Sequence, residues 1–245
     1  MESHVEDRGS IRWDELPEAP WTRILSFLTL FELIIDRTVS RSFNGQLIPK
    51  TLALASTLNL SQFWACLGDP SFILEQLEPT LGCVARINAI SLEYCHLLTD
   101  SALLSLLRLL PSETKSQIER LSLHYCFQLR DAAIIQLSKM FPNLKVLDLS
   151  RCILLTDAAV TAVAKNCRQL KRLYLAGLLS LTNDVLLDLG SMENLEYLDV
   201  QKTPILEMAV QEQRTQSPAL TIVGPSVVKV PAPSYRSKPR ADDVA

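Results

Sequence analysis

The amino-acid sequence predicts an α/β fold: a short, curved solenoid of strand-turn-helix units, preceded by a small helical domain. Three observations support this prediction. A nine-residue leucine pattern occurs five times between positions 87 and 203. Each of the first four copies is followed by a phrase with helical spacing. An apolar segment near the N-terminus lacks the repeat and shows three short helical patterns instead.

The leucine pattern reads L-x-x-L-x-L-x-x-C and decays gradually along the chain. Its copies are INAISLEYC (87–95), IERLSLHYC (118–126), LKVLDLSRC (144–152), LKRLYLAGL (170–178) and LEYLDVQKT (195–203). Their last residues are 31, 26, 26 and 25 positions apart. Alternation of leucine with polar residues predicts a short strand with one buried face in each copy.

The second phrase of each unit predicts a helix that packs against the strand layer. It reads LLTDSALLSLL (97–107), QLRDAAIIQLS (128–138), LLTDAAVTAVA (154–164) and SLTNDVLLDLG (180–190). Short oxygen-bearing side chains at its start are expected to accept hydrogen bonds from the free backbone N–H groups of the first turn. These residues are Thr99, Asp100, Asp131, Thr156, Asp157 and Thr182.

Together the two phrases resemble the cysteine-containing subtype of leucine-rich repeats over about residues 85–206, which implies a short horseshoe. Cysteine ends three of the predicted strands, where the chain turns inward. We expect these thiols to be buried, reduced and non-catalytic, because free cysteine suits a buried corner. They are Cys95, Cys126 and Cys152, and Cys167 occupies a similar corner at a helix end.

Between the inward leucines, the other strand residues point to the opposite, concave face. We predict that a patch on this face binds a protein target, because solenoids commonly bind through it and Tyr and Arg often anchor interfaces. The patch consists of Arg120, His124, Asp148, Arg172, Tyr174, Tyr197 and Asp199. Asp148 lies in the row between the two arginines and is expected to orient one of them. The alternative is that these are merely solvated strand positions.

No motif for catalysis or cofactor binding accompanies this face. The chain has seven glycines and no glycine-rich phosphate loop, and none of its six cysteines forms a C-x-x-C pair. We therefore expect no cofactor, no metal and no enzymatic activity. An enzyme that uses His124 with neighbouring groups such as Cys126 is the alternative, although the two lie on opposite sides of the bend.

Composition limits the partners. Hydrophobic residues make up 48% of the 245 positions, charged residues 21%, and the net charge is −3. Nucleic-acid binders usually present a basic face, so we expect no nucleic-acid partner. No apolar run reaches the roughly 18 residues that span a bilayer, and the polar start MESHVEDRGS is unlike a signal peptide. We expect a cytoplasmic or nuclear protein, or both, with reduced thiols and no membrane partner.

Residues 11–50 predict three short helices with more large apolar side chains than about 40 residues can bury alone. One interpretation is a cap on the open end of the repeats. The segment also resembles the F-box. The matching features are Leu16-Pro17, the ILSFL core (24–28), Leu30 with Leu33, and the closing VSRSF (39–43). Two features depart from that family: Phe43 replaces its usual Trp, and Asp36 and Thr38 interrupt a stretch that is normally aliphatic.

The F-box resemblance implies docking on a Skp-type adaptor, which holds a cullin and RING ubiquitin-ligase core. Its adaptor-binding residues are Leu16, Pro17, Ile24, Leu25, Leu28 and Leu33. An F-box followed by leucine-rich repeats implies a substrate-recognition subunit of an SCF-type E3 ubiquitin ligase, which presents a target protein for ubiquitination and proteasomal degradation. The alternative is a non-ligase leucine-rich-repeat scaffold with a vestigial F-box.

The remaining segments complete the predicted organisation. Residues 1–10 are predicted to be disordered, 11–50 form the F-box, and 51–85 form a packed linker with a decayed first repeat, STLNLSQFW. The repeats occupy 86–210, and 211–245 form a C-terminal cap and tail. ALTIVG (219–224) predicts a last edge strand, and the Pro- and Ser-rich composition after Pro225 predicts disorder. The basic cluster of the tail is either solubilising or a docking segment.

Overall fold

The computed structural model describes residues 56–61 and 86–224. The predicted F-box, most of the linker and the tail lie outside these residues, so the adaptor-binding assignment stays a prediction. Its residues are Leu16, Pro17, Ile24, Leu25, Leu28 and Leu33. In the described part of the chain, no helix is both long enough and apolar enough to cross a bilayer.

Seven strands form one parallel sheet whose order follows the order of the chain. Each strand has three residues and pairs in register with the next, so each repeat position forms a row across the sheet. Parallel neighbours need a crossover connection, and between the last six strands the described helices supply it. The strands are β1 (Thr57–Asn59), β2 (Ala89–Ser91), β3 (Arg120–Ser122), β4 (Val146–Asp148), β5 (Arg172–Tyr174), β6 (Tyr197–Asp199) and β7 (Thr221–Val223). β1 and β7 stand where STLNL and ALTIVG predict strands.

Six helices occur among the described residues. They are α1 (Asp100–Leu109), α2 (Ser112–Gln117), α3 (Asp131–Met140), α4 (Asp157–Asn166), α5 (Val185–Gly190) and α6 (Glu207–Gln216). The four helical phrases correspond to α1, α3, α4 and α5. The helix α2 was not predicted, and it occupies the extra residues that separate the first two leucine patterns by 31 positions rather than 25 or 26.

The core lies between the sheet and the helices. The central residue of every strand is buried, and one continuous cluster of apolar side chains runs from Leu58 to Ile222. Five of the six described helices add buried apolar side chains to it, as α3 does with Ile134 and Leu137. The exception is α2, whose buried residue is Thr114. Burial of a Leu or Ile side chain contributes about 1.5–3 kcal/mol. Because each unit is too thin to bury its own leucines, stability depends on contact with adjacent units.

The threonines at the helix starts behave as predicted. Thr99 Oγ1 accepts a hydrogen bond from the Ala102 N–H, and Thr156 Oγ1 accepts one from the Ala158 N–H, both at 3.3 Å. Thr182 Oγ1 likewise accepts from the Asp184 N–H at 3.2 Å. These bonds satisfy donors that the first helical turn leaves free.

The aspartates beside them differ from the prediction, because they do not cap their own helices. Asp100 accepts a hydrogen bond from the Arg130 N–H at 2.9 Å, in the following repeat. Asp157 accepts two from Thr182, one from its N–H at 2.9 Å and one from its hydroxyl at 2.6 Å. Each carboxylate therefore joins the start of its own helix to the next repeat.

A left-handed residue ends the turn out of each strand. It directly precedes the cysteine position, and in four of five repeats it is not glycine. Such a conformation costs a residue with a Cβ roughly 1–2 kcal/mol. The residues and their φ angles are Tyr94 (61°), Tyr125 (62°), Arg151 (64°), Gly177 (74°) and Lys202 (55°).

Candidate functional site: the concave face and the strand-end rim

The seven predicted target-binding residues lie on one face of the sheet. In-register pairing puts Arg120, Arg172 and Tyr197 in one row, since the intervening Val146 pairs with both arginines. Asp148, Tyr174 and Asp199 form the next row, and His124 follows β3 in a third row. Three strand spacings of about 4.8 Å separate β3 from β6, so the patch is roughly 14 Å long. Ala89 and Ser150, which also alternate with the inward leucines, are buried.

Arg120 and Arg172 carry the free charges of this face. Both side chains are exposed. Neither guanidinium forms an ion pair or a hydrogen bond with any other residue that the structure describes. A guanidinium presents a planar fork of donors that binds carboxylate or phosphate through two hydrogen bonds. These two side chains can therefore bind acidic groups of a partner.

Tyr174 and Tyr197 contact each other beside Arg172. Their ring centroids are 5.3 Å apart and the ring planes are inclined at 45°. Loss of hydration raises the pKa of Tyr197, and Asp199 and Tyr174 add to the increase. The phenol is therefore protonated at neutral pH and can donate a hydrogen bond. Two half-buried aromatic rings with polar tips form a suitable interface anchor.

The two aspartates are already partly engaged in the fold. Asp148 Oδ1 accepts a hydrogen bond from the Ser150 N–H at 2.8 Å, and Asp199 Oδ1 accepts one from the Gln201 N–H at 2.9 Å. Each carboxylate closes the end of its own strand. The expectation that Asp148 orients an arginine is wrong within the described residues, since its only ion-pair neighbour there is His124 Nδ1 at 3.9 Å.

His124 lies at the end of β3 among aromatic rings. Its ring is edge-on to Tyr94 at 5.5 Å and to Tyr125 at 4.6 Å between centroids. Nδ1 is closed to solvent and has no hydrogen-bond partner in residues 56–61 and 86–224, because the 3.9 Å to Asp148 exceeds hydrogen-bond length. Its surroundings resemble an aromatic contact surface more than an acid–base site.

The cysteine thiols point away from this face. Cys126 Sγ donates to the Leu92 carbonyl and Cys152 Sγ to the Leu123 carbonyl, each at 3.1 Å and each in the preceding repeat. All four described cysteines are buried and unpaired with other cysteines, as predicted. Burial raises the pKa of Cys152 and raises that of Cys167 to about 12. Protonated thiols are poor nucleophiles, so the cysteines act as structural donors.

The structure offers no metal site in the part that it describes. No group of three or more His, Cys, Asp or Glu side chains there is arranged to hold an ion. Carboxylates and imidazoles of the concave face lie on separate rows or are hydrogen-bonded to backbone.

The structure adds a surface that the sequence analysis missed. Side chains that immediately precede or follow the cysteine position line the edge where the strands end. We call six of them the rim stripe: Tyr94, His96, Tyr125, Phe127, Ile153 and Leu179. Tyr94 stacks on Tyr125 with centroids 5.2 Å apart, and His96 stacks on Phe127 at 5.1 Å. The leucine pattern ends at the cysteine and does not predict how the side chains around that position meet.

The rim stripe is accessible. Tyr94 is 49% exposed, Ile153 37% and Leu179 62%. Backbone bonds continue the register past the strands, as from the Tyr125 N–H to the Ser150 carbonyl at 3.0 Å. His96, Phe127, Ile153 and Leu179 directly follow the cysteine position in four successive repeats. The Arg151 guanidinium lies 5.8 Å from the centroid of the Tyr125 ring and adds positive charge to the rim.

Comparison with known proteins bears on the fold. No protein-family model matches the chain, and no curated protein matches it significantly. Among solved structures, it is similar to the crystal structure of the Rad7 and Elc1 complex in yeast, with a TM-score of 0.55 and 19% identity over 89% of this chain and 63% of that chain. A putative dehydratase from Mesorhizobium loti aligns with a TM-score of only 0.29 at 10% identity, over 70% of this chain and 47% of that one.

At 19% identity the similarity to the yeast structure shows the fold alone, and this chain spans less than two thirds of that one. Together with the seven parallel strands in chain order, it shows that the described part of the chain is an α/β solenoid of the leucine-rich-repeat kind.

Proposed function

We propose that the chain is the substrate-recognition subunit of an SCF-type cullin-RING ubiquitin ligase. In this proposal the F-box-like segment docks on a Skp-type adaptor, and the repeats hold the target protein for ubiquitination and degradation in the cytoplasm or nucleus. The observation that carries it is the concave face, where two exposed arginines without an ion-pair partner among the described residues share a row with Tyr197, which contacts Tyr174. The fold similarity to a two-protein complex, Rad7 with Elc1, supports a role in assembly with a partner.

The chain performs no bond chemistry of its own in this proposal. It raises the effective concentration of the target near the ubiquitin carrier, so that transfer becomes nearly unimolecular. The requirement on the structure is a rigid platform with a binding face. The in-register sheet and the buried leucine core supply that rigidity.

Affinity purification of the intact chain from cells, followed by mass spectrometry, tests the proposal. Co-purification of a Skp-type adaptor together with a cullin and a RING subunit is the expected result. The absence of both adaptor and cullin, with other proteins recovered, would exclude a ligase role.

A non-ligase scaffold is the second candidate, because Phe43, Asp36 and Thr38 depart from the F-box pattern. It predicts target capture without adaptor. The same purification separates the two candidates, since the scaffold keeps its target-side partners when the adaptor is missing.

A further inference from the structure

The rim stripe is an apolar surface that continues across four repeats. Its members are aromatic at one end, with exposed Tyr94 and half-buried Tyr125, and aliphatic at the other, with exposed Ile153 and Leu179. Contiguous apolar surface of this kind marks a binding site more often than scattered single residues do. The stripe borders the concave face, because it begins where the strands of that face end.

The charges around the stripe indicate what it binds. Arg120, Arg151 and Arg172 belong to three consecutive repeats, and none lies within ion-pair distance of a carboxylate in the described part of the chain, although Arg172 helps to lower the pKa of Glu196. The neighbouring Asp148 and Asp199 are held by backbone N–H groups of their own strands. The surface therefore offers unsatisfied positive charge over β3 to β5, and charge complementarity favours an acidic partner.

One carboxylate at the β2 end differs. Glu93 follows β2 on the concave side, and its carboxylate has no hydrogen-bond or ion-pair partner among the described residues. An acidic partner would be repelled there. Asp148 and Asp199 also keep their negative charge, so the positive excess on this face is confined to β3 through β5, where three arginines outnumber Asp148. A basic residue of the partner opposite Glu93 would complete the charge match and would fix the direction in which the partner lies across the repeats.

The spacing of the stripe favours a helix over an extended segment. Its stacked pairs are 5.2 and 5.1 Å apart between ring centroids. Successive turns of an α-helix rise about 5.4 Å, whereas same-face residues of an extended chain are about 6.6 Å apart. Both pairs join the same two repeats, so the full stripe is compared with the strand spacing of about 4.8 Å: over three such spacings a helix drifts out of step by roughly 2 Å and an extended chain by roughly 5 Å. Only the helix keeps one side chain against each repeat.

We infer that the rim stripe binds an acidic amphipathic helix of the target protein, which lies across the repeats with its apolar face on the stripe. Its carboxylates face Arg120, Arg151 and Arg172, and a basic residue at one end faces Glu93. A helix is about 10–12 Å wide with its side chains, so it covers the stripe and Arg151 beside it. Arg120 precedes Tyr125 by five residues, up to about 16 Å of extended chain, and therefore attracts the carboxylates at longer range. That the bound helix belongs to the target protein rests on the proposed function.

The chain's own tail is the competing occupant. Residues 225–245 follow β7 in the chain, and fully extended they would span about 65 Å. The composition of these residues argues against this occupant. They carry four basic side chains, Lys229, Arg236, Lys238 and Arg240, but only two aspartates. They also contain four prolines, which disfavour a helix. Like charge would oppose docking near the arginines.

A displayed library of random 18-residue peptides, selected on the full-length chain, tests the inference. The expected winners carry apolar residues at i, i+3 or i+4, and i+7, with Asp and Glu in excess. Fluorescence anisotropy of the winning peptides should show at least a tenfold loss of affinity with Leu179→Glu and, separately, with Arg172→Glu. Both side chains are exposed, so the variants should keep the wild-type circular dichroism and melting temperature.

Leu187→Glu is the matched control, because Leu187 is 70% exposed on α5 and lies outside the stripe. It should leave peptide affinity unchanged. No enriched peptide, enrichment of basic or alternating sequences, or equal sensitivity to Leu187→Glu would overturn the inference. A tenfold gain in affinity on removal of residues 225–245, reversed by a synthetic peptide of those residues, would assign the stripe to the tail instead.

Adaptor binding is measured on the same preparation, which separates the two proposals. Adaptor binding without peptide enrichment overturns the helix-binding inference alone. Enrichment of acidic amphipathic peptides without adaptor binding overturns the ligase proposal, but the rim stripe then remains a helix-binding surface.

Discussion

Asp131 and Thr156, one repeat apart, are joined by two hydrogen bonds: the carboxylate accepts from the Thr156 N–H at 2.8 Å and from its hydroxyl at 2.7 Å. The same hydroxyl accepts from the Ala158 N–H at the start of α4. One threonine therefore caps its own helix and ties it to the preceding repeat. Asp157 and Thr182 repeat the arrangement.

Replacement of Asp131 by alanine should lower the free energy of unfolding by about 1–2 kcal/mol, because two partly buried hydrogen bonds to a charged group are lost. Urea denaturation followed by circular dichroism measures the change. Asp184→Ala is the control, since the Asp184 side chain makes no capping bond, and its effect should stay within about 0.5 kcal/mol. Equal losses in the two variants would contradict the coupling role.

Gly177→Ala should lower the free energy of unfolding by about 1–2 kcal/mol, because φ is +74° and a Cβ disfavours that region. The added Cβ would also lie 2.6 Å from Arg151 Cδ, so the arginine must move. Thermal or urea unfolding measures the loss. An unchanged midpoint would show that the turn relaxes freely.

Lys202→Gly should have the opposite effect at the same repeat position. Lys202 has a φ of 55°, and glycine removes the Cβ penalty at some entropic cost, so the net gain in unfolding free energy should be about 0.5–1 kcal/mol. Lys202→Ala keeps the Cβ and should bring no gain. If both variants stabilise equally, the effect comes from loss of the lysine side chain and not from the backbone.

Stability should fall at alkaline pH through Cys167. Burial raises its folded pKa to about 12, whereas an unfolded thiol ionises near pH 8.5. Between these values the folded chain holds more protons, so the free energy of unfolding declines as pH rises, by at most about 1.4 kcal/mol per pH unit. The stabilising contribution of the protonated Cys167 thiol is fully present below about pH 8.5.

Urea titrations at pH 7.5, 8.5 and 9.5 measure this slope. Cys167→Ala and Cys167→Ser should both flatten it by a similar amount, whatever their stability at pH 7.5, because neither side chain titrates there. A slope that is unchanged in both variants would show that Cys167 does not set the alkaline limit.

Replacement of Arg172 and Tyr174 by alanine should abolish capture of the target recovered with the wild-type chain. Truncation of a central anchor typically costs about 2 kcal/mol or more, and both residues project from the concave face of β5. Adaptor binding and the melting temperature should hardly change. If the double variant keeps the target while deletion of residues 226–245 loses it, the concave-face assignment is wrong.

Leu16→Ala with Pro17→Ala should weaken co-purification of the adaptor tenfold or more. Burial of a Leu side chain contributes about 1.5–3 kcal/mol, and the segment around it carries more large apolar residues than it can bury alone. Target capture through the repeats should persist in this variant. Undiminished adaptor binding would remove the F-box assignment.

Periodicity was sufficient to predict the strands, four of the helices and the buried cysteines, because each depends on spacing within one repeat. The role of Asp131 was not predictable in the same way. Its partner Thr156 is in the next repeat, and a carboxylate at a helix start equally suits a local cap.

The rim stripe was missed for a related reason. Tyr94 and Tyr125 meet only because the turns after β2 and β3 stay in register beyond the strands. The leucine pattern ends at the cysteine and carries no signal about how the following loop continues. On the concave face, the pattern placed the arginines correctly but could not show that Asp148 is held by the Ser150 N–H.

Each strand hydrogen-bonds only to the strands before and after it in the chain. Within the described residues, β7 pairs with β6 alone, whereas β4 is held on both sides. Local unfolding that starts at Thr221–Val223 can thus advance one strand at a time toward the middle of the sheet. Amide hydrogen exchange should be fastest in β7 and slowest around β4, because the end strand loses its hydrogen bonds before the central one.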